Sequence, residues 1–193
     1  MFITQVLNGL QLGSIYALVA LGYTMVYGII LLLNFAHGDI IMVGAYVSWL
    51  VMAQLGLNPV LAVILSVAAC TLMGVLIDKV AYAPLRNAPR LSILITAIGV
   101  SYFLENGAQL VFGADAKVVP AYTDLQTIQV GDLALSFPSV LTVIVTIVAT
   151  VALTLVVQKT KLGKAMRAVS EDMDAARLMG INVNSTISFT FAV

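Results

Sequence analysis

Few residues in this chain have side chains suited to chemistry within a membrane, and most lie in two places. The first is a polar interruption between apolar stretches: Asn34, Phe35, Ala36, His37, Gly38 and Asp39. Two readings are open for it. Gly and Asn favour a connecting turn, with His37 and Asp39 facing water. A helix break at membrane depth would instead line a cavity, because unwound backbone in lipid must be covered by protein or face a water-filled space. Transporter sites are often built that way. Physical chemistry alone favours the turn. Asp39 also falls at the N-terminus of the following helix, where a carboxylate caps free N–H groups with no transport role required. His37 is the only histidine. One histidine with no Cys or carboxylate cluster at ligand spacing makes no metal site, and as a proton relay it has no partner named by the sequence. Glu105 is the one formal charge well inside a span-length segment. An intramembrane carboxylate is a functional candidate by default, although its place beside Asn106 and Gly107 equally lets it reach the interface.

The second place is the basic loop 158–184. Leu162, Ala165, Met166 and Val169 recur at helical spacing. Ser170 followed by Glu171, Asp172 and Asp174 reads as an N-cap with acids in the first turn. Ala175, Leu178 and Met179 give this next helix an apolar stripe, and Gly180 fits its C-terminal cap. Two short amphipathic helices are expected. They either lie at the lipid interface or dock their apolar stripe into a groove of a cytoplasmic partner. Gly163 and Lys164 are followed by Ala165 and lack the upstream glycine of a phosphate loop. No Ser/His/Asp or Cys/His set is present for nucleophilic catalysis. No catalytic residue and no enzyme activity are expected, and no cofactor bound by this chain. If ATP drives its work, the motor is another subunit.

The elements that position these residues follow from composition. Hydrophobic residues make up 61% of the 193 and charged residues 9%, against about 25% charged in a soluble domain. Such a chain cannot cover a globule with polar surface, which excludes a soluble enzyme, a disordered tail and a nucleic-acid binder. Residues 1–38, 40–77 and 133–158 contain no Asp, Glu, Lys or Arg. A span needs about 20 mostly apolar residues, so several spans are present. Barrel strands would alternate apolar with polar residues, and these runs do not. The expected fold is all-α, a polytopic transmembrane helical bundle forming one domain over 1–193. Five spans are placed at 6–33, 40–55, 60–77, 91–112 and 137–157, the second being short. A sixth begins near Ile187, and the chain reads as the N-terminal part of something longer. The first span lacks a basic leader and is too long for a signal peptide. Gly9 and Gly13 form a GxxxG on a stripe with Ala17 and Ala20, read as helix packing.

Eight of the nine basic residues sit in loops 78–90 and 158–177, so both loops are expected on the cytoplasmic side. The loop between the two intervening spans, 113–136, holds Asp115, Asp124 and Asp132 with only Lys117, and reads as external. Counting back puts residues 34–39 inside and the N-terminus outside, unless residues 34–39 break a helix within the membrane.

The stretch Asp174-Ala-Ala with Gly180 resembles the cytoplasmic EAA-type loop of ABC-importer permeases, with Asp in place of the first Glu. Gly13-Ser-Ile-Tyr-Ala-Leu, Gly22-Tyr-Thr-Met-Val-Tyr-Gly and Asn34-Phe-Ala-His-Gly-Asp together resemble the LivH-type permeases of branched-chain amino-acid ABC importers. Ala81-Tyr-Ala-Pro-Leu-Arg, and Gly163 with Ala165, Arg167 and Ala168, fit the same family. The resemblance implies a permease that works with a second, related permease, two ATP-binding cassette subunits carrying ATP and Mg, and an external or periplasmic binding protein. Its membrane would be the inner or plasma membrane of a bacterium or archaeon. The cargo implied is Leu, Ile or Val, with urea or short amides as the alternative. The resemblance also assigns Gly163, Arg167, Glu171, Asp172, Asp174, Ala175, Ala176 and Gly180 to ATPase coupling. It turns the balance at Asn34, Phe35, His37, Gly38 and Asp39 towards the translocation pathway, with Glu105 a further candidate. An ion-gradient-driven transporter or channel is the competing class, and it would depend on Glu105, His37 and Asp39.

Overall fold

The computed structural model describes residues 2–30, 33–86, 88–120, 127–130 and 133–193. It is a bundle of helices: α1 (Phe2–Ile30), α2 (His37–Trp49), α3 (Pro59–Ile77), α4 (Arg90–Phe112), α5 (Phe137–Lys159), α6 (Lys161–Glu171), α7 (Met173–Leu178) and α8 (Val183–Ala192). A small antiparallel hairpin, β1 (Thr127–Val130) with β2 (Leu133–Ser136), sits in the acidic loop. Among the described residues, four helices are long and apolar enough to cross a membrane: Gln5–Ile29, Pro59–Leu85, Leu91–Phe112 and Phe137–Lys159. They make this a multi-pass membrane protein. The second expected span is shorter than these. It is α2 continued by a π-helical turn, Leu50–Gln54, and reaches roughly 25 Å. Ten-residue α8 occupies the place of the expected sixth.

α1 and α5 run parallel. The Ser139 hydroxyl donates to Gln11 Oε1 at 2.5 Å, and Thr146 Oγ1 lies 3.4 Å from the Ser14 carbonyl. Further along, Ile29 and Val157 line one groove. The start of α1 therefore lies on the side of the acidic loop, and residues 34–39 lie on the side of the two basic loops. This answers the question that charge counting left open.

α2 and α3 form an antiparallel pair joined by small and polar residues. The Ser48 and Ser66 hydroxyls are 2.8 Å apart, Ser66 donates to the Gly44 carbonyl at 3.0 Å, and the Cys70 thiol donates to the Ile40 carbonyl at 3.3 Å. A Cβ on Gly44 would meet Cys70 Sγ at 2.7 Å. Such small residues let backbones approach where lipid supplies no hydrophobic drive between helices. The α3 start is set by Pro59 at its first position and by Asn58, whose side chain accepts from Val60 N–H at 2.9 Å.

Among the described residues, no neighbouring helix packs against Gly9 or Gly13. A Cβ at either position would find no atom within 4 Å, and Ala17 and Ala20 are exposed with them. The tight helix approaches fall instead at Gly44, Gly74 and Gly163.

The main core lies at the basic-loop end. Val26 and Ile29 of α1, Ala36, Ile77, Tyr82, and Ile93 and Ala97 of α4 pack there with Met166, Val169, Ala176, Val183, Ile187 and Phe191. At the other end Tyr46 stacks on Phe112 at 4.3 Å, and Trp49 meets Phe112 edge-on at 6.3 Å with the Lys117 ammonium over its ring.

Candidate functional site

The loop after α5 reverses within one residue. Thr160 donates to the Val156 carbonyl at 2.5 Å and accepts from Gly163 N–H at 2.9 Å, so one hydroxyl ends α5 and begins α6. Gly163 is buried there, and a Cβ on it would lie 2.2 Å from the Val157 carbonyl oxygen. α6 turns Met166 and Val169 into the core and leaves Lys161, Leu162, Lys164, Arg167 and Glu171 exposed.

The cap of α7 is Asp172 and not Ser170. The Ser170 hydroxyl bonds back to the Arg167 carbonyl at 2.7 Å within α6, which runs on through Glu171. Asp172 is extended, and its Oδ1 accepts from Asp174 N–H at 2.8 Å and Ala175 N–H at 3.0 Å. Ser170 lies two residues before the backbone break, still inside α6, so Asp172 is the residue that reaches the free N–H groups. Gly180 ends α7 at φ +81°, with its N–H on the Arg177 carbonyl and the Ile181 N–H on the Ala176 carbonyl, both at 3.0 Å. That paired pattern is a Schellman cap, and it needs the left-handed backbone that glycine tolerates. α7 buries Ala176. It presents Ala175, Leu178 (89% exposed) and Met179 (83% exposed) outward, with an exposed Asp174–Arg177 pair at 3.0 Å beside them. The expected apolar stripe of Ala175, Leu178 and Met179 is this helix's exposed surface.

Residues 34–39 form the turn from α1 into α2, closed by His37 N–H on the Asn34 carbonyl at 3.2 Å. Asn34 is only 6% exposed, and its Oδ1 accepts from the Tyr82 hydroxyl at 2.7 Å. The His37 ring lies against Gly22 and edge-on to Tyr23 at 5.8 Å. Phe35 and Gly38 are exposed. Asp39 stands in the first turn of α2, and its Oδ2 caps no N–H there among the described residues, against the expected capping role. Two buried polar atoms, Asn34 Nδ2 and Asp39 Oδ2, have no hydrogen-bond partner among the described residues. Glu105 is exposed two turns from the Phe112 end of α4, towards the opposite end of the bundle. The structure does not bring it to residues 34–39.

Sequence reasoning missed the charge centre that joins these parts. Asp78 is fully buried, with 0% exposure. Arg86 forks onto it at 2.6 and 2.8 Å, and the Ser188 hydroxyl donates to it at 2.5 Å. Arg86 also donates to Asn184 Oδ1. Nearby, the Phe191 ring lies 5.5 Å from Tyr82, and a Cβ on Gly74 would meet the Phe191 carbonyl oxygen at 2.3 Å. α8 is thus fastened along the end of α3. The available signal was Asp78 itself, the first charge after a 38-residue stretch without one, 40–77. A chain of contacts runs from the turn at Asn34, through Tyr82 and α8, to α6 and α7.

No solved structure matches the chain. The family described as branched-chain amino acid transport system, permease component, matches residues 5–193. The high-affinity branched-chain amino acid transport system permease protein LivH of Salmonella typhimurium is 42% identical over the whole chain. The permease protein BraD of Pseudomonas aeruginosa, of the same description, is 38% identical over the whole chain. A probable branched-chain amino acid transport permease protein LivH of Methanocaldococcus jannaschii is 31% identical over 92% of the chain and 58% of its own length. The chain spans 66% of the length of each of the first two. By the extent of these matches, the chain belongs to the family of branched-chain amino acid transport permease components.

Proposed function

We propose that this chain is a membrane-spanning permease subunit of an ATP-driven importer in a bacterial or archaeal inner or plasma membrane. Its cargo is Leu, Ile or Val, delivered by an external binding protein. A second related permease completes the pathway, and two ATP-binding cassette subunits supply ATP hydrolysis. The observation that supports this most is α7: a short helix capped at both ends, exposing Leu178 and Met179 and backed by Ala176 against the core. Such a helix can seat in a groove of a partner and carry its displacement inward through α8. Residues 34–39 would receive that displacement, and the unpaired atoms of Asn34 and Asp39 offer a donor and an acceptor to a polar cargo or its water.

The test is co-purification of the full-length chain in mild detergent, followed by uptake of labelled leucine against urea in vesicles. Recovery of a cassette ATPase and a second permease, with leucine uptake, supports the proposal. The chain recovered alone with ion-driven uptake overturns it. Gly180→Leu should cost about 1–2 kcal/mol locally from the left-handed backbone. It should uncouple substrate-stimulated ATP hydrolysis while the spans still insert, and normal stimulation in that variant would remove α7 from the coupling role. Asn34→Leu should lower leucine uptake at unchanged assembly. Unchanged uptake kinetics would leave residues 34–39 as a turn only.

A further inference from the structure

α1, α5 and α6 enclose a groove of about 340 Å³ at the basic-loop end. Its apolar floor includes Ile29, Leu153 and Val157, and Gln158 and Arg167 stand among its polar lining. Gly28 also lines it, and a Cβ there would meet nothing within 4 Å. The groove follows the two parallel spans, whose outer surfaces are apolar and exposed. From α6 the groove is lined by Met166, the exposed Arg167 and Ser170; Lys161 and Lys164 are exposed elsewhere on the same helix, whose one carboxylate is Glu171. Both ion pairs among the described residues lie elsewhere, at Asp78–Arg86 and Asp174–Arg177. An apolar slot bordered by an exposed arginine on the basic-loop side has the chemistry of a lipid seat: hydrocarbon below, phosphate above.

We propose that this groove holds one anionic phospholipid of the leaflet facing the basic loops. An acyl chain lies between α1 and α5, and the phosphate sits on the Arg167 guanidinium. The assignment rests on the membrane placement of the spans and not on the cargo. It gives the two helices of the basic loop separate partners, lipid for α6 and protein for α7.

The experiment uses the assembled complex of the full-length chain, reconstituted in equal parts phosphatidylglycerol and phosphatidylethanolamine. Lipids retained after release into detergent are weighed by native mass spectrometry. Wild type should keep phosphatidylglycerol in preference. Arg167→Gln should cut that preference about fivefold, the weight of one arginine at a membrane surface. Gly28→Leu should reduce retention of both lipids by filling the seat, and Lys117→Gln, beside Trp49, should change nothing. Equal retention of the two lipids by wild type overturns the proposal, as does Arg167→Gln behaving like Lys117→Gln. Loss of the ATPase subunit from Arg167→Gln with lipid preference intact also overturns it and assigns Arg167 to the docking surface.

Discussion

Asp78→Leu in the full-length chain is expected to lower stability by about 3–5 kcal/mol, because it leaves the Arg86 guanidinium buried with no counter-charge. Arg86 keeps only 14% of its side chain in solvent, so it cannot recover its hydration by a small shift. Against a total of about 5–15 kcal/mol for a folded protein, that is a large loss. The measurement is the thermal midpoint of the detergent-solubilised chain, followed by tryptophan fluorescence, together with protease sensitivity of the segment around α8. Cleavage should begin near Asn184 and Ser188, since both are bonded to the pair that is lost.

The double variant Asp78→Leu with Arg86→Met separates a broken pair from a misplaced side chain. Replacing a buried ion pair by apolar groups of similar volume is often neutral for stability, while removing one partner is not. The double variant should therefore recover most of the midpoint lost by the single one. If it is as unstable as Asp78→Leu, leucine at 78 fails for shape and the charge pair is not what holds α8. If stability returns but ATP-coupled uptake does not, the pair is fixing the position of α8 rather than supplying stability.

The spans and the turn at residues 34–39 were legible because membrane solvent writes them into composition: long runs without charge, interrupted where backbone must reverse. The cap of Gly180 was legible because only one backbone conformation there wants glycine. Asp172 was harder to read. Ser170 and Asp172 both satisfy the local cap preference, and the choice depends on how far α6 continues, which its packing through Met166 and Val169 decides. The stripe of Ala175, Leu178 and Met179 was legible, but which residue seats α7 was not. A six-residue helix has no full apolar period, and a single alanine is enough to seat it. Asp78 read as a loop charge because nothing local names Ser188 or Arg86 as its partner. Ser66, Cys70 and Gly74, four apart on α3, were a readable small-residue face; Gly9 and Gly13 had the same spacing without a neighbour among the described residues. Spacing identifies a surface able to pack closely, and only tertiary contacts decide whether this chain uses it.

Gly163→Ala and Gly9→Ala put that distinction to a direct test. Both replace a helical glycine by the best helix former, a local gain of roughly 0.5–1 kcal/mol. At Gly9 nothing opposes the gain, because the new methyl group enters open space; the midpoint should stay or rise. At Gly163 the methyl group meets the carbonyl oxygens of Val157 and Val156 at 2.2 and 2.3 Å. These atoms belong to the last turn of α5 and cannot rotate aside like a side chain. The reversal at Thr160 must open, at a cost of about 1–3 kcal/mol for overpacking. Met166 and Val169 then leave the core, and α7 loses its fixed place although none of its own residues has changed. The expected result is a lower midpoint with faster proteolysis of 158–184, and loss of ATPase recovery on purification. A stable Gly163→Ala chain that still recovers the ATPase would mean that the α5–α6 turn yields at little cost. Coupling would then not require a rigid loop. Gly9→Ala that instead loses the second permease at unchanged midpoint would give the stripe of Gly9 and Gly13 an intersubunit partner, which is the packing its spacing predicts.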